Sequence, residues 1–193
     1  KRISIHIPKL DIKSVPSGTQ VFDWTIPREW HVNKAYIITP SGEKICDFSE
    51  NNLHLLGYSI PFEGSVTLEE LKKHLYTLPD QPNAIPYATS YYEERWGFCI
   101  AQKEFDVLKK GTYKVVIDST LFKGELNYGE LLIKGKSKKE IFLSTYVCHP
   151  SMANNELSGP TVLTFIAKWL MENNKREYSY RIIFIPETIG SIT

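Results

Sequence analysis

The reactive side chains of interest are His149 and Glu187. His149 lies in Cys148-His149-Pro150, directly after the run Ile141–Val147, which is rich in β-branched and aromatic residues. Glu187 lies in Pro186-Glu187-Thr188, directly after a second such run, Tyr178–Ile185. Between the two, Asn154, Asn155, Glu156 and Ser158 crowd the start of a helical segment. An imidazole, an amide or carboxylate, and a second carboxylate brought to one place suit a metal ion that activates water. Each residue also has a plainer role. A His after a strand is commonly structural. Asn-Asn-Glu ahead of a helix caps it. Glu187 is then a solvated strand end.

The elements that would position these groups are readable. Pro160–Met171 carries Val162, Leu163, Ile166, Trp169 and Leu170 at helical spacing. Two strands joined by one helix make a βαβ unit, so the strands should be parallel with a right-handed crossover. Both polar loops then leave the same edge of the sheet, and in open parallel sheets ligands bind outside the carboxyl ends of the strands. The dipole of the intervening helix favours anions and polar ligands at its start.

On these residues the chain resembles the zinc aminopeptidase family in its co-catalytic, two-metal branch. There a metal-binding His follows one strand, a bridging Asp sits three residues before a Ser-Gly that opens a helix, and a Glu-Glu pair follows the next strand. His149 matches the His, Ser158-Gly159 the Ser-Gly, and Glu187 the first Glu, the general base. More closely, the chain resembles a bacterial and archaeal group of aminopeptidase-like proteins carrying an inserted β-rich domain of unknown function. The stretches SGTQVFDWTIPREW, NNLHLLGYSIP, PYATSYYEERWGFC, CHPSMANNELSGP and PETIGS carry that resemblance from Ser17 to Ser191. It implies an α/β fold with a parallel-sheet, phosphorylase/hydrolase-like core, a zinc cofactor, and a peptide or related amide as substrate.

Two positions depart from the family pattern. Asn155 stands where the bridging Asp belongs, and Thr188 where the second Glu belongs. An uncharged amide is a poor bridge between two cations, and a threonine hydroxyl is not a normal zinc ligand. One zinc ion, or none, is therefore expected rather than two. Its candidate ligands are His149, Asn155 and, if the loop shifts by one residue, Glu156, with Glu187 as the catalytic base.

Composition narrows the class. The 193 residues carry a formal net charge of +1, so nothing points to a nucleic-acid or membrane surface. No apolar run reaches the length of a membrane span. The start lacks the apolar core of a signal peptide and an initiator Met, so the chain is expected to begin inside a longer protein. Cys46, Cys99 and Cys148 are scattered, which favours free thiols and a cytoplasmic setting. Cys148 beside His149 invites a nucleophile reading, but neighbours on an extended strand point to opposite faces.

The rest of the chain reads as mostly β. Lys1–Thr19 is a loop or edge strand ending in the turn Pro16-Ser17-Gly18. Asp23 and Glu29 are acids that either reach a site or, more simply, cap or face solvent. Ala35–Thr39 and Glu43–Phe48 form a hairpin, and Leu53–Ser59 a further strand. Thr67 caps a short helix with Glu70 at the capping-box position. Tyr87–Ile100 is strand-like, with Gly97 at a close backbone approach. Tyr91, Tyr92 and Trp96 build either a small core or a pocket wall. Gln102–Lys110 is helical, Tyr113–Asp118 and Gly124–Ile133 are strands, and Lys134–Lys139 is a solvated basic turn.

The expected organisation is therefore three segments. Residues 1–33 and 140–193 form the aminopeptidase-like core, and residues 34–139 the inserted small β-rich α+β domain. The core is expected to be truncated after the Glu187 loop, because an open parallel sheet cut there leaves an unpaired edge. Two further readings stand beside the hydrolase: a catalytically impaired pseudo-enzyme that binds through the same fold, and an interaction module that uses the β-rich domain.

Overall fold

The structure, a computed structural model, describes residues 2–90, 93–149 and 152–193. In chain order the elements are α1 (Arg2–His6), β1 (Asp11–Pro16), β2 (Gln20–Val21), β3 (Trp24–Thr25), β4 (Glu29–Ile38), β5 (Lys44–Ile45), β6 (Phe62–Thr67), α2 (Leu68–Lys72), β7 (Leu75–Tyr76), β8 (Phe98–Cys99), α3 (Gln102–Asp106) and β9 (Thr112–Phe122). They continue as β10 (Glu125–Ile133), β11 (Glu140–Tyr146), α4 (Ala153–Glu172), β12 (Ser179–Ile185) and α5 (Ile189–Ile192). Two compact units result. One joins Lys1–Arg28 to Lys123–Thr193, and the other is the continuous stretch Glu29–Phe122.

The first unit is built on a four-stranded sheet ordered β1-β10-β12-β11. The pair β11/β12 is parallel, in register from Glu140↔Ser179 to Tyr146↔Ile185, and α4 supplies the crossover between them. The sheet as a whole is mixed rather than parallel, because β10 pairs antiparallel with both β1 and β12. Sequence pattern placed Gly124–Ile133 in the β-rich insertion, whereas Leu131 and Ile133 pack with Ile182 and Phe184 in this unit's core. The structural division thus falls at residues 28/29 and 122/123 rather than at 33/34 and 139/140.

Alternation along the strands sorts the two faces. Ile182 and Phe184 join Leu131 and Ile133 in one cluster with Leu163, Ala167 and Leu170 of α4 and with Ile7. On the other face, buried Glu130 pairs with Lys13 and Arg181, and Arg181 also meets Glu140 at 2.7 Å. Gly159 lets α4 approach β11, since a Cβ there would lie 2.3 Å from Thr145 Oγ1. The Ser-Gly dipeptide therefore has a packing reason that is independent of any metal.

The second unit is an antiparallel sheet ordered β5-β4-β9-β6 with a small parallel pair β7/β8. Ala35, Ile37, Tyr113, Val115 and Ile117 on the long strands bury against Leu71, Trp96, Phe98 and Ile100. Trp96 is sandwiched, with the His74 ring 3.6 Å and the Phe62 ring 4.3 Å from it, centroid to centroid. Trp96 is thus a core residue. Tyr91 and Tyr92, its expected companions, lie outside the described residues. Gly97 is a close approach: a Cβ would meet His74 O at 2.8 Å. Thr67 Oγ1 accepts from Glu70 N at 3.3 Å, as a capping residue should.

Two expected strands differ from the structure. Leu53–Ser59 is not a regular strand: Asn52–His54 forms a 3-10 turn, with the Asn51 side chain accepting from Leu53 N, and only isolated bridges at Leu55 and Gly57 follow among the described residues. Of Tyr87–Ile100, Phe98–Cys99 is the part that is strand among the described residues. Apolar and aromatic content there serves a core rather than a ladder, and β propensity reports burial as much as extension.

Candidate functional site

The sheet carries His149 and Glu187 to one edge. Past the last strand pair, Val147 N–H donates to Ile185 O at 2.8 Å, so the two chains stay side by side for one more residue. His149 and Glu187 then meet directly, with His149 Nε2 hydrogen-bonded to Glu187 Oε2. The imidazole is sheltered and the carboxylate half-exposed, at 10% and 42% side-chain exposure. That contrast suits an anchored ring beside an acid that solvent and substrate can reach. The expected convergence at the carboxyl end of the parallel pair is what the geometry displays.

The start of α4 divides the other candidates. Asn154, Asn155 and Ser158 are exposed. Asn155 Oδ1 accepts the Tyr146 hydroxyl at 3.1 Å, which ties it to the end of β11. Glu156 is buried at 6% exposure. Its Oε2 accepts the Cys148 backbone N–H at 2.6 Å, and its Oε1 is sealed from solvent with no partner among the described residues. Sequence reasoning did not foresee the Tyr146–Asn155 and Cys148–Glu156 bonds. Their one signal was position, since Tyr146 ends a strand and Glu156 falls on the first turn of the helix that returns over it. Asp23 lies in the turn between β2 and β3, and Glu29 opens β4.

Two features mark this edge as unusual. Thr188 has φ 52° and ψ −69°, with Ile189 N–H donating to Glu187 O at 2.5 Å. This is a three-residue γ-turn, a strained conformation for a β-branched residue. Such backbone costs on the order of 1–3 kcal/mol and gathers at functional sites. Cys148 is the second feature. Burial pushes its thiol above the ordinary value, a hydrogen bond with the Glu187 backbone opposes this, and the Glu156 and Glu187 charges add to it. A thiol held protonated is a poor nucleophile, which argues against a cysteine hydrolase.

As a zinc site the donor chemistry fits one ion in type: an imidazole nitrogen and carboxylate oxygens. It does not fit a bridged pair, because the Asn155 amide is neutral and engaged by Tyr146. Among the described residues no three His, Cys, Asp or Glu side chains gather closely enough to hold a metal.

A family model described as a domain of unknown function, DUF4910, matches residues 1–193. The chain belongs to the DUF4910 family. A Clostridium acetobutylicum protein, named for polysaccharide biosynthesis with an aminopeptidase-like domain, is 55% identical over 188 residues, covering 97% of this chain and 43% of the relative. A solved Clostridium acetobutylicum structure, described as a candidate peptidase, shares 54% identity at TM-score 0.90, over 99% of this chain and 45% of that one. A Bacillus subtilis zinc aminopeptidase structure superimposes at TM-score 0.58 with 11% identity, over 96% and 54%. This DUF4910 chain therefore spans less than half the length of its Clostridium relatives, and its mixed α/β fold is shared with zinc aminopeptidases. No described helix is long and apolar enough to cross a membrane.

Proposed function

We propose that this chain carries part of the site of a metal-dependent, aminopeptidase-like hydrolase that acts on a peptide or related amide. The observation that supports it most is the meeting of His149 and Glu187 at the carboxyl edge of the β11/β12 pair. In this reading one zinc ion is anchored by His149, while Asn155 and Glu156, expected from the sequence as further ligands, are engaged by the Tyr146 hydroxyl and the Cys148 N–H. A bound zinc would polarise an oxygen and bring a water toward ionisation at neutral pH.

The protein's own groups do the rest. The sheltered position of His149 keeps its ring aimed at the edge. The half-exposed Glu187 carboxylate accepts a proton from water and returns it to the leaving amine, the ordinary work of a general base turned acid. The γ-turn at Thr188 engages the Glu187 carbonyl with Ile189 N–H, which leaves the Glu187 side chain as the group that meets His149.

The test is hydrolysis of an aminoacyl chromogenic amide by the longest natural form of the protein, alongside its metal content. Glu187→Gln should abolish turnover and leave bound zinc unchanged. Full turnover in Glu187→Gln would remove Glu187 from the base role. Zinc-free protein that still binds peptide would favour the pseudo-enzyme reading instead.

A further inference from the structure

We propose that Glu156 is a positioning residue: its carboxylate clamps the Cys148 peptide so that His149 is held facing Glu187. This rests on His149 and Glu187 being the working pair. Two contacts fasten the Val147–His149 segment to the β12 side: Val147 N–H to Ile185 O, and the His149 ring to the Glu187 carboxylate. From the helix side the Glu156 carboxylate accepts the Cys148 N–H at 2.6 Å, and Met152 N–H donates to His149 O at 3.3 Å. Glu156 N–H itself donates to Met152 O, so the arm starts from backbone already fixed in the first turn of α4. A rigid arm gripping the amide one residue before His149 sets where the His149 Cα lies, and with it the direction of the ring.

Stability alone does not account for this acid. Glu156 is 6% exposed and one of its oxygens lacks a partner among the described residues. Burying a half-satisfied carboxylate is unfavourable, and an apolar side chain would fill the space at lower cost. What the carboxylate supplies is a short charge-assisted hydrogen bond with fixed direction. Its Oε2 is engaged with the backbone behind His149, which makes it a support for the ligand rather than a ligand. Outer groups of this kind commonly alter metal affinity by about 10–100-fold when removed.

The test uses the longest natural form of the protein, labelled for NMR, with Glu156→Ala, Glu156→Asp and Glu156→Gln. Glu156→Ala and Glu156→Asp, which lacks one methylene of reach, should move the His149 ring C–H signals and speed exchange of the Cys148 amide by about tenfold or more. They should weaken zinc binding by about 10–100-fold with the stoichiometry unchanged. Glu156→Gln keeps an acceptor at the same reach without the charge, and should move all three readouts in the same direction but by less than Glu156→Ala. Unmoved His149 ring signals in a folded Ala or Asp variant would overturn the clamp. So would loss of zinc stoichiometry with an unchanged Cys148 amide, which would make Glu156 a direct ligand. If Glu156→Ala fails to fold, Glu156→Asp decides. If the parent chain binds no zinc, the metal reading falls, and the NMR signals still decide whether Glu156 clamps.

Discussion

The two units solve the problem of burial in different ways. In Glu29–Phe122 the apolar side chains turn inward: the Trp96 stack, Phe98, Tyr113 and the β4/β9 ladder close on one another. In the other unit α4 is apolar on more than its buried side. Leu163, Ala167 and Leu170 are buried, while Leu157, Val162, Phe165 and Trp169 are 56–63% exposed. Phe142, on the sheet face away from α4, is 62% exposed. Leu157, Val162, Phe165 and Trp169 leave an exposed apolar surface on α4, beside the exposed polar Thr161, Lys168 and Glu172. The unit that holds the candidate site is thus the one whose surfaces are not self-sufficient, and the unit without it is self-contained.

Thiol chemistry should show this difference most strongly. Burial pushes Cys46 up to about 12 and Cys99 up to about 11, so at pH 8 native Cys46 carries about a thousandfold less thiolate than a free thiol. Iodoacetamide on the native chain should label the half-buried Cys148 first, with Cys46 and Cys99 reacting on unfolding. Equal labelling of all three would mean that the Glu29–Phe122 unit is open. The sign with pH follows. The stabilisation from these neutral thiols is intact below the unfolded-chain value near 8.5 and is lost as pH climbs toward the native values, so alkali should unfold this unit progressively.

Core truncation comes next. Trp96→Ala removes the middle ring of the stack and should cost about 3–5 kcal/mol in a urea titration. A loss under about 1 kcal/mol would mean that the stack is not a tight core. Gly159→Ala places a methyl 2.3 Å from Thr145 Oγ1 and should cost about 1–3 kcal/mol by overpacking, through separation of α4 from β11. A neutral result would mean that α4 already sits loosely. The smallest effect belongs to the exposed side of α4. Trp169→Gln should change stability by no more than about 0.5 kcal/mol, whereas a large loss would show that Trp169 is covered in the folded chain.

Much of the site edge was readable because it depends on local pattern. The β11–α4–β12 unit, its parallel register and the loops holding His149 and Glu187 follow from two β-branched runs, one helical period and the chirality of crossovers. What was not readable depends on partners remote in sequence. Gly124–Ile133 reads as a strand, but nothing local says that it joins β12 rather than a neighbour in the β-rich stretch. Asn155 and Glu156 are adjacent in sequence and met opposite fates, one exposed on Tyr146 and one buried on Cys148. That difference depends on the rotation of the first turn of α4 over β11, which periodicity does not fix to within one residue.

Zinc titration by calorimetry bears most directly on the convergence of His149 and Glu187, and needs no substrate. The longest natural form of the protein should take up one equivalent of zinc, Glu187→Gln should retain it, and His149→Ala should lose it. Undiminished zinc binding by His149→Ala, or two equivalents in the parent, would contradict a single ion anchored at the edge of β11 and β12.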